Sequence, residues 1–224
     1  MAEFIRPSYE IVSEIPEDLL QTIERIGRVC YKSEDKITPI SAATFVQSII
    51  KRGHLSVIEH VSMSVRFICD RGVSHDLVRH RISSISQESS RYCDYNRKGL
   101  QFIIPSWVKL EPIQVEWKFP NLQDVAKKTD VEGYVWLQAM LEAEKSYQTL
   151  RQWGWKPEQA RSVLPNSLKT ELVMTANLWE WRHILHLRTA PSAHPQMREL
   201  MIPLLAELRQ RVPVIFHDIL GEGT

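Results

Sequence analysis

A short polar stretch, Arg79–Tyr92, concentrates side chains that bind anions. Arg79, His80 and Arg81 are consecutive, and Ser89 and Arg91 follow them. Arginine binds phosphate or carboxylate through two parallel hydrogen bonds, and serine hydroxyls and loop N–H groups complete such a site. A solvated helix end followed by a polar loop explains the same composition about equally well. We expect Arg79, His80 and Arg81 to lie on a short helix, pointing in different directions and serving two ligands or two subunits.

A second polar cluster lies in the segment GHLSVIEH, residues 53–60. His54, Ser56, Glu59 and His60 are candidate ligand contacts or a general acid–base set. A polar connection between a helix and a strand is the alternative interpretation. The spacing of the two histidines matches no common zinc pattern.

Two further features suggest chemistry less strongly. Glu180 and His183 have the Glu-x-x-His spacing of carboxylate-bridged di-iron bundles, but we find no second pair, so we predict no metal site. Cys93 is a candidate nucleophile, yet no His, Asn or Asp is placed by sequence to activate its thiol.

Composition limits the function classes that need to be considered. The chain has 224 residues, 43% of them hydrophobic, and a net charge of +1. This charge provides no general field for nucleic acid or an anionic membrane, so we expect neither partner and only local anion sites. Cys30, Cys69 and Cys93 fit neither a disulfide framework nor a zinc pattern, which favours a reducing compartment. With no signal-peptide or membrane-spanning hydrophobic run, we predict a soluble, cytoplasmic protein.

Periodicity predicts a mixture of strands and helices that would position these residues. Residues 9–15, 61–67, 100–105 and 167–177 have strand patterns. Helices are predicted after Pro16, after Pro39 with Ser41 as cap, from Ser74 as cap, over 136–150, 157–165 and 178–188, and from Pro195. Residues 83–99 are expected to form an ordered loop, and Lys109 to Asp130 a surface excursion. We predict one α+β domain over 1–224, with a central mixed or antiparallel sheet flanked by helices.

The chain resembles the flavin-dependent thymidylate synthases. Arg79-His80-Arg81, seven further residues and then Ser89 match the family's signature, and Arg91-Tyr92 match the pair that follows it. GHLSVIEH, RSVLP (161–165) and HLRTAPSAHPQMREL (186–200) are similar to other family segments. The similarity extends over most of the chain, but residues 109–130 carry no motif that we can place.

The resemblance implies an activity and an assembly. The protein would convert dUMP to dTMP, taking a methylene group from methylenetetrahydrofolate and reducing equivalents from NADPH through bound FAD. It would be a homotetramer with each active site at subunit interfaces. Several anions would then meet several donors in one region, although the overall charge stays near zero.

The resemblance also implies roles for individual residues. Arg188 would hold and polarise the uracil ring, and Ser89, the second residue of the catalytic set, is a ligand contact rather than a nucleophile. Arg161 would reach the dUMP phosphate from another subunit. The full set of residues expected to contact dUMP is Arg79, Gln87, Glu88, Ser89, Arg91, Arg161 and Arg188. The residues expected to contact FAD are His54, Ser56, Glu59, Arg79, His80, Arg81, Ile82, Asn177 and His183.

Four positions depart from the pattern of some family members. Asp76 and Gln87 stand where Gln and Glu are found, and Trp179 and His183 replace Arg and Asn near the flavin. These changes leave open a relative that traps the methylene group with water to give hydroxymethyl-dUMP. A flavin- or nucleotide-binding protein without turnover, or a small RNA-binding module, is a further alternative. The net charge argues against RNA.

Overall fold

The structure is a computed structural model that describes residues 1–116 and 119–219. Its strands are β1 (Ala2–Ile5), β2 (Ser8–Ile11), β3 (Ser62–Asp70), β4 (Ser84–Gln87), β5 (Gln101–Ile103), β6 (Ile113–Val115) and β7 (Lys169–Asn177). Its α-helices are α1 (Leu19–Val29), α2 (Ser41–Lys51), α3 (Arg71–Leu77), α4 (Tyr95–Lys98), α5 (Phe119–Ala126), α6 (Val131–Gln152), α7 (Pro157–Ala160), α8 (Leu178–Arg188), α9 (Pro195–Arg211) and α10 (Pro213–Phe216). Short 3₁₀ segments cover Glu34–Lys36, Leu55–His60 and Arg161–Val163. Among these helices none combines the length and the apolar character needed to cross a membrane.

The combination of strands and helices confirms the predicted α+β class, but the described strands form two sheets and not the one central sheet that was expected. In the three-stranded sheet β1 is central, parallel to β5 and antiparallel to β6, with Phe4 opposite both Phe102 and Ile113. This sheet is therefore mixed. The four-stranded sheet has the order β2-β3-β7-β4.

The chain divides into two compact units. The first unit comprises Met1–Ser8, Phe67–Arg79 and Ser86–Leu172. Its core joins the three-stranded sheet to α6, where Leu137, Leu141 and Tyr147 are fully buried on one face. Phe4 stacks on Phe102 with ring centroids 5.6 Å apart. Burial of large apolar side chains such as these contributes roughly 1.5–3 kcal/mol each to stability.

The predicted surface excursion between Lys109 and Asp130 is wrong for the described part of that segment. Leu110, Val115 and Val125 belong to the core of the first unit and are at most 5% exposed. β6 supplies Val115 and is only three residues long, too short for an alternating pattern to stand out between two prolines. Residues 117 and 118 lie outside the described residues.

The second unit comprises Tyr9–Arg66, His80–Ile85 and the described chain from Val173 onward. The buried Trp181 of α8 donates its indole N–H to the Met63 carbonyl oxygen at 2.9 Å, which ties α8 to β3. α1 and α2 approach closely at Gly27, where a Cβ would lie 2.6 Å from the ring of Phe45. Only glycine permits this approach, so Gly27 sets the spacing of the two helices.

The start and end of α3 differ from the prediction. Asp70, not Ser74, is the N-cap, since its Oδ1 accepts a 2.6 Å hydrogen bond from the Val73 N–H. Ser74 lies inside the helix and donates its hydroxyl to the Arg71 carbonyl oxygen. Because α3 ends at Leu77, the expected placement of Arg79–Arg81 on this helix is also wrong.

Two smaller predictions are also corrected. Ser41 is the first residue of α2 and Ile40 is its N-cap, so Ser41 does not cap the helix as expected. Residues 83–99 are not all loop, because β4 and α4 lie within them. β4 is four residues long and α4 is a single turn, so neither gives a clear periodic signal.

Candidate active site

Three residues expected to contact the flavin lie at a 3₁₀ segment, Leu55–His60. Ser56 and Glu59 are on this segment, and His54 is its N-cap. Val57 and Ile58 are buried and anchor this segment, which leaves His54, Ser56 and Glu59 exposed. The Tyr31 hydroxyl lies 2.5 Å from His54 Nδ1, and the two rings stack at an angle of 21°. Tyr31 therefore fixes the orientation of the His54 imidazole.

Helix α8 supplies the next group of candidates. Asn177 caps it, accepting a 2.8 Å hydrogen bond from the Glu180 N–H. Glu180 and Arg188 are two helical turns apart and therefore lie on the same face, about 12 Å apart along the axis. This face can present a carboxylate and a guanidinium to one partner placed between them.

His80 is that partner. Arg188 donates its Nε–H to His80 Nε2 at 3.0 Å, and His80 Nδ1 lies 3.6 Å from Glu180 Oε1. His80 and Glu180 are 7% and 3% exposed, so the bridge is buried. Because Nε2 accepts a hydrogen bond from Arg188, the neutral ring carries its hydrogen on Nδ1, facing the carboxylate. Glu180 thus orients His80, and His80 orients Arg188.

The surroundings of Glu180 shift the pKa of its carboxyl group. Burial raises the pKa of the carboxyl group, and the nearby His183 opposes this shift. His80, Glu180 and His183 each offer a ligand atom within 4.8 Å of the others, so a cation could in principle bind there. The Arg188 guanidinium already occupies His80 Nε2 and adds positive charge, which disfavours a metal ion. The absence of a metal site stays a prediction.

The same region offers contacts that fit the expected flavin. Trp179 and His183 stack with an interplanar angle of 13° and centroids 6.4 Å apart, which provides an aromatic platform. Arg81 and Ile82 are exposed, so a guanidinium and an apolar side chain are available to a ligand. A planar ring system carrying phosphates needs both kinds of contact. The donor set therefore fits FAD.

Four of the expected nucleotide contacts, Gln87, Glu88, Ser89 and Arg91, lie in the first unit, at and after the end of β4. Gln87 donates to the hydroxyls of Ser74 and Thr170 at 3.0 and 3.2 Å, so its amide N–H groups are engaged within the protein. Glu88 is paired with Lys169 at 3.2 Å. The neutral Gln87 avoids a second carboxylate beside Glu88, which reduces charge repulsion against an anionic ligand.

Beyond Glu88 the chain turns sharply and brings serines and arginines together. The Ser89 carbonyl oxygen accepts hydrogen bonds from the N–H groups of Tyr92 and Cys93. Arg161 donates to the Ser90 hydroxyl at 2.9 Å. Arg91 is 56% exposed, makes a long 3.9 Å ion contact with Glu158, and has its guanidinium 5.6 Å from the centroid of the Tyr92 ring. Arg161 therefore lies beside the Ser89–Arg91 turn within one chain. The expected contribution of Arg161 to the site of another subunit stays a prediction.

Two residues of the site were not assigned from sequence. Glu180 was considered only for its Glu-x-x-His spacing to His183, whereas the structure pairs it with His80. Lys169 lies within the predicted strand over 167–177 and gave no signal of its own, although it forms ion pairs with Glu88 and Glu171. Their partners are distant in sequence, so only the folded chain reveals them.

Comparison with known proteins shows which family the chain is similar to. Residues 10–214 match the family model described as thymidylate synthase complementing protein. A flavin-dependent thymidylate synthase of Mycobacterium sp. (strain JLS) is 35% identical over 212 residues, covering 90% of this chain and 82% of the relative. One from Corynebacterium efficiens is 33% identical over 210 residues, with the same coverage.

Solved structures show the same fold. Thymidylate synthase X from Helicobacter pylori, crystallised with FAD and dUMP, is 23% identical with a TM-score of 0.74, covering 96% of this chain and 99% of that one. A UMP/dUMP methylase from Streptomyces cacaoi bound with 5-Br dUMP is 25% identical with a TM-score of 0.73, covering 96% and 95%. The extent of the family match and the identity to the curated relatives establish that the chain belongs to the flavin-dependent thymidylate synthases.

Proposed function

We propose that the protein methylates dUMP to dTMP, with methylenetetrahydrofolate as the one-carbon donor, NADPH as the reductant and FAD as the cofactor. The observation that carries the proposal is the buried Glu180–His80–Arg188 arrangement. It holds in a fixed orientation the arginine that the family resemblance assigns to the uracil ring. A preoriented cation at a reacting ring needs no reorganisation during the reaction.

Arg188 would lower the barrier to attack by the pyrimidine ring. Carbon 5 of uracil is a weak nucleophile, and it attacks the methylene carbon most readily from an enolate-like form of the ring, in which negative charge lies on the ring carbonyl oxygens. Guanidinium N–H groups directed at these oxygens stabilise that charge in the transition state. His80 Nε2 accepts a hydrogen bond from Arg188 Nε, which restrains the orientation of the guanidinium.

The Ser89–Arg91 turn and Arg161 would hold the dUMP phosphate. Ser89 contributes a hydroxyl and Arg91 an exposed guanidinium, and Arg161 lies beside Ser90 on the same chain. Arginine forks and a hydroxyl match a phosphate dianion. Arg79, Gln87 and Glu88 complete the proposed nucleotide contacts. This binding would restrict the motion of the nucleotide before the reaction.

FAD would be held by His54, Ser56 and Glu59 together with His80, Arg81, Ile82, Asn177 and His183, and by Arg79. When bound, it carries the reducing equivalents of NADPH to the transferred one-carbon group. The protein's residues position it and shield it from water. Trp179 offers a stacking face where some relatives have a cation, so the phosphates of FAD depend more strongly on Arg79 and Arg81.

We further propose that residues 1–224 act as one functional domain within a homotetramer. The exposed Ile82 and Tyr92, at 57% and 81%, lie within the polar stretch and are suited to burial against another subunit. The exposed thiol of Cys30 suits a reducing compartment, so we propose the cytoplasm as the location.

Flavin binding and coupled turnover test the proposed function. The purified protein should be yellow or take up added FAD, and it should oxidise NADPH faster when dUMP and methylenetetrahydrofolate are both present. A colourless protein that binds no FAD would favour a binding module instead. NADPH oxidation that is independent of dUMP would contradict synthase activity.

Replacing Glu180 by Gln is expected to lower kcat by roughly 10- to 100-fold, because misoriented catalytic groups cost rates of this order. Burial raises the pKa of Glu180 above its unfolded value, so the folded state binds the extra proton and loses stability as pH rises between the two values. The neutral variant lacks this loss and should be at least as stable as the wild type at pH 8.

Thermal melts and pH–rate profiles check this expectation. A fall in kcat with unchanged or increased Tm, together with a changed acid limb of the kcat profile, would mark Glu180 as a positioning residue. A matched fall in Tm and kcat would mean that Glu180 acts only through folding.

Replacing Cys93 by Ala is expected to leave kcat within about 2-fold of the wild type. The Cys93 side chain packs against the core of the first unit. Burial raises the pKa of the Cys69 thiol to about 12, so Cys69 is not available as a thiolate nucleophile. Steady-state assays with the folded variant check this; abolished turnover would restore the thiol-nucleophile hypothesis.

A further inference from the structure

A cavity of about 670 Å³ lies in the second unit, apart from the residues assigned above. It opens between the end of α1 and the length of α2, where Gly27 lets the two helices approach. Its lining combines Arg28, Lys36 and Arg52 with the aromatic rings of Tyr31 and Phe45. Its volume is in the range of small-molecule sites. We call it the α1–α2 cavity.

The charged side chains that line the α1–α2 cavity are basic. Within residues 1–116 and 119–219, no carboxylate lines it. The buried Glu24 accepts hydrogen bonds from two lining residues, Arg28 at 2.7 Å and the Ser41 hydroxyl at 2.8 Å, so its charge is already engaged. Lys36 and Arg52 form no ion pair with any described residue and are exposed. Two uncompensated cations therefore face an opening that also has apolar and hydroxyl surface, which favours an anionic ligand with an aromatic ring.

Tyr31 connects the cavity to the proposed flavin contacts. Its ring lines the cavity, and its hydroxyl is hydrogen-bonded to His54 Nδ1 at 2.5 Å. His54 is one of the residues proposed to contact FAD. A ligand that reacts beside the flavin and has a long side arm could therefore react near His54 and extend its arm past Tyr31.

Among the proposed substrates, the folate has this chemistry. Its reacting ring system carries a p-aminobenzoyl ring and then a glutamate with two carboxylates. Those carboxylates match the two unpaired cations in number, and the benzoyl ring matches the apolar and aromatic wall. NADPH instead carries a pyrophosphate and a further phosphate, more negative charge than Lys36 and Arg52 balance.

We propose that the α1–α2 cavity binds the p-aminobenzoylglutamate arm of methylenetetrahydrofolate, with Lys36 and Arg52 on its carboxylates. This inference rests on the proposed function for the identity of the substrate. Added glutamate units would extend along the same cationic wall, so polyglutamylated folate binds more tightly than monoglutamate. The cavity thus contributes to folate affinity without taking part in the chemistry.

Steady-state kinetics of Lys36→Ala, Arg52→Ala and the double variant test the proposal. Each single change should raise the KM for methylenetetrahydrofolate about 5- to 10-fold, because a charge-assisted contact is lost at a solvent-accessible site. The double variant should lose most of the advantage of the polyglutamylated substrate. Its kcat at saturating folate and its KM for dUMP and NADPH should match the wild type. Lys51→Ala, a neighbouring exposed lysine that does not line the cavity, is the matched control.

Two results would overturn the proposal. One is an unchanged KM for folate in the double variant; the other is a KM that rises for NADPH instead, which would assign the cavity to the dinucleotide phosphates. Equilibrium binding of p-aminobenzoyl-triglutamate to the FAD-loaded protein separates this question from turnover. Binding by the wild type but not by the double variant supports the cavity even if no dTMP forms, whereas equal binding by both contradicts it.

Discussion

Replacing Arg188 by Ala is expected to lower kcat for dTMP formation by about 10²–10³-fold, the usual cost of removing one preorganised donor from a developing negative charge. Arg188 is half-buried and bonded through Nε to His80, so the defect arises at the uracil ring and the FAD content should change little. Arg188→Lys keeps the charge but loses the fork, and should recover only part of the rate. Single-turnover rates with bound FAD measure the effect directly.

A control on the same helix separates this role from helix stability. Arg182 lies on α8, six residues before Arg188, and forms a two-pronged ion pair with Asp218 at 2.7 and 2.8 Å. Arg182→Lys should therefore lower Tm and leave kcat within about 2-fold. Equal loss of kcat in the Arg182 and Arg188 variants would contradict a specific role for Arg188.

Replacing Arg91 by Ala is expected to raise the Kd for dUMP about 10- to 100-fold, since hydrogen bonds to charged groups contribute roughly 1.5–3 kcal/mol. The affinity for FAD should stay within about 2-fold, because Arg91 is assigned to the nucleotide phosphate alone. Titration of each ligand into the purified variant measures both values.

Glu158→Gln is the matched control for Arg91, because it removes the 3.9 Å ion contact and keeps the arginine. The variant should bind dUMP as well as the wild type or slightly better. Equal weakening of dUMP and FAD in the Arg91 variant would reject the phosphate assignment. Loss of dUMP affinity in the Glu158 variant would mean that the ion contact positions Arg91.

Long periodic elements could be predicted from the sequence. The alternation of Val61 to Phe67 corresponds to β3, and the helical spacing from Trp136 to Leu150 lies inside α6. Each of these buries one face, so the apolar pattern directly reflects the packing. The helix over 178–188 was also confirmed, with Asn177 as its cap.

The bounds of short helices and strands depend on local hydrogen bonds that apolar periodicity does not reveal. Ser74 was the expected cap of α3, but the N-cap is Asp70, at the end of β3. Its side chain reaches Val73, whereas Ser74 is already one turn into the helix. The polar motif after α3 consequently leaves the helix, and His80 enters the second unit instead of lying on a solvated helix end.

The residue types of the candidate site came from the motifs, but their partners came from the fold. The Arg-His-Arg motif identified His80 and Arg81 as ligand contacts without indicating that His80 contacts Arg188, 108 residues later. The pairing of Glu180 with His80 has the same origin. A cavity formed by α1 and α2 likewise depends on a close helix approach at Gly27 that no motif describes.

Product mass tests the central claim most directly. The purified protein would be incubated with dUMP, methylenetetrahydrofolate, NADPH and FAD, and the nucleotide analysed by mass spectrometry. The proposed function predicts a gain of one methylene unit, dTMP, formed only when all components are present. A gain of one methylene plus one oxygen, or unchanged dUMP while NADPH is consumed, would contradict it.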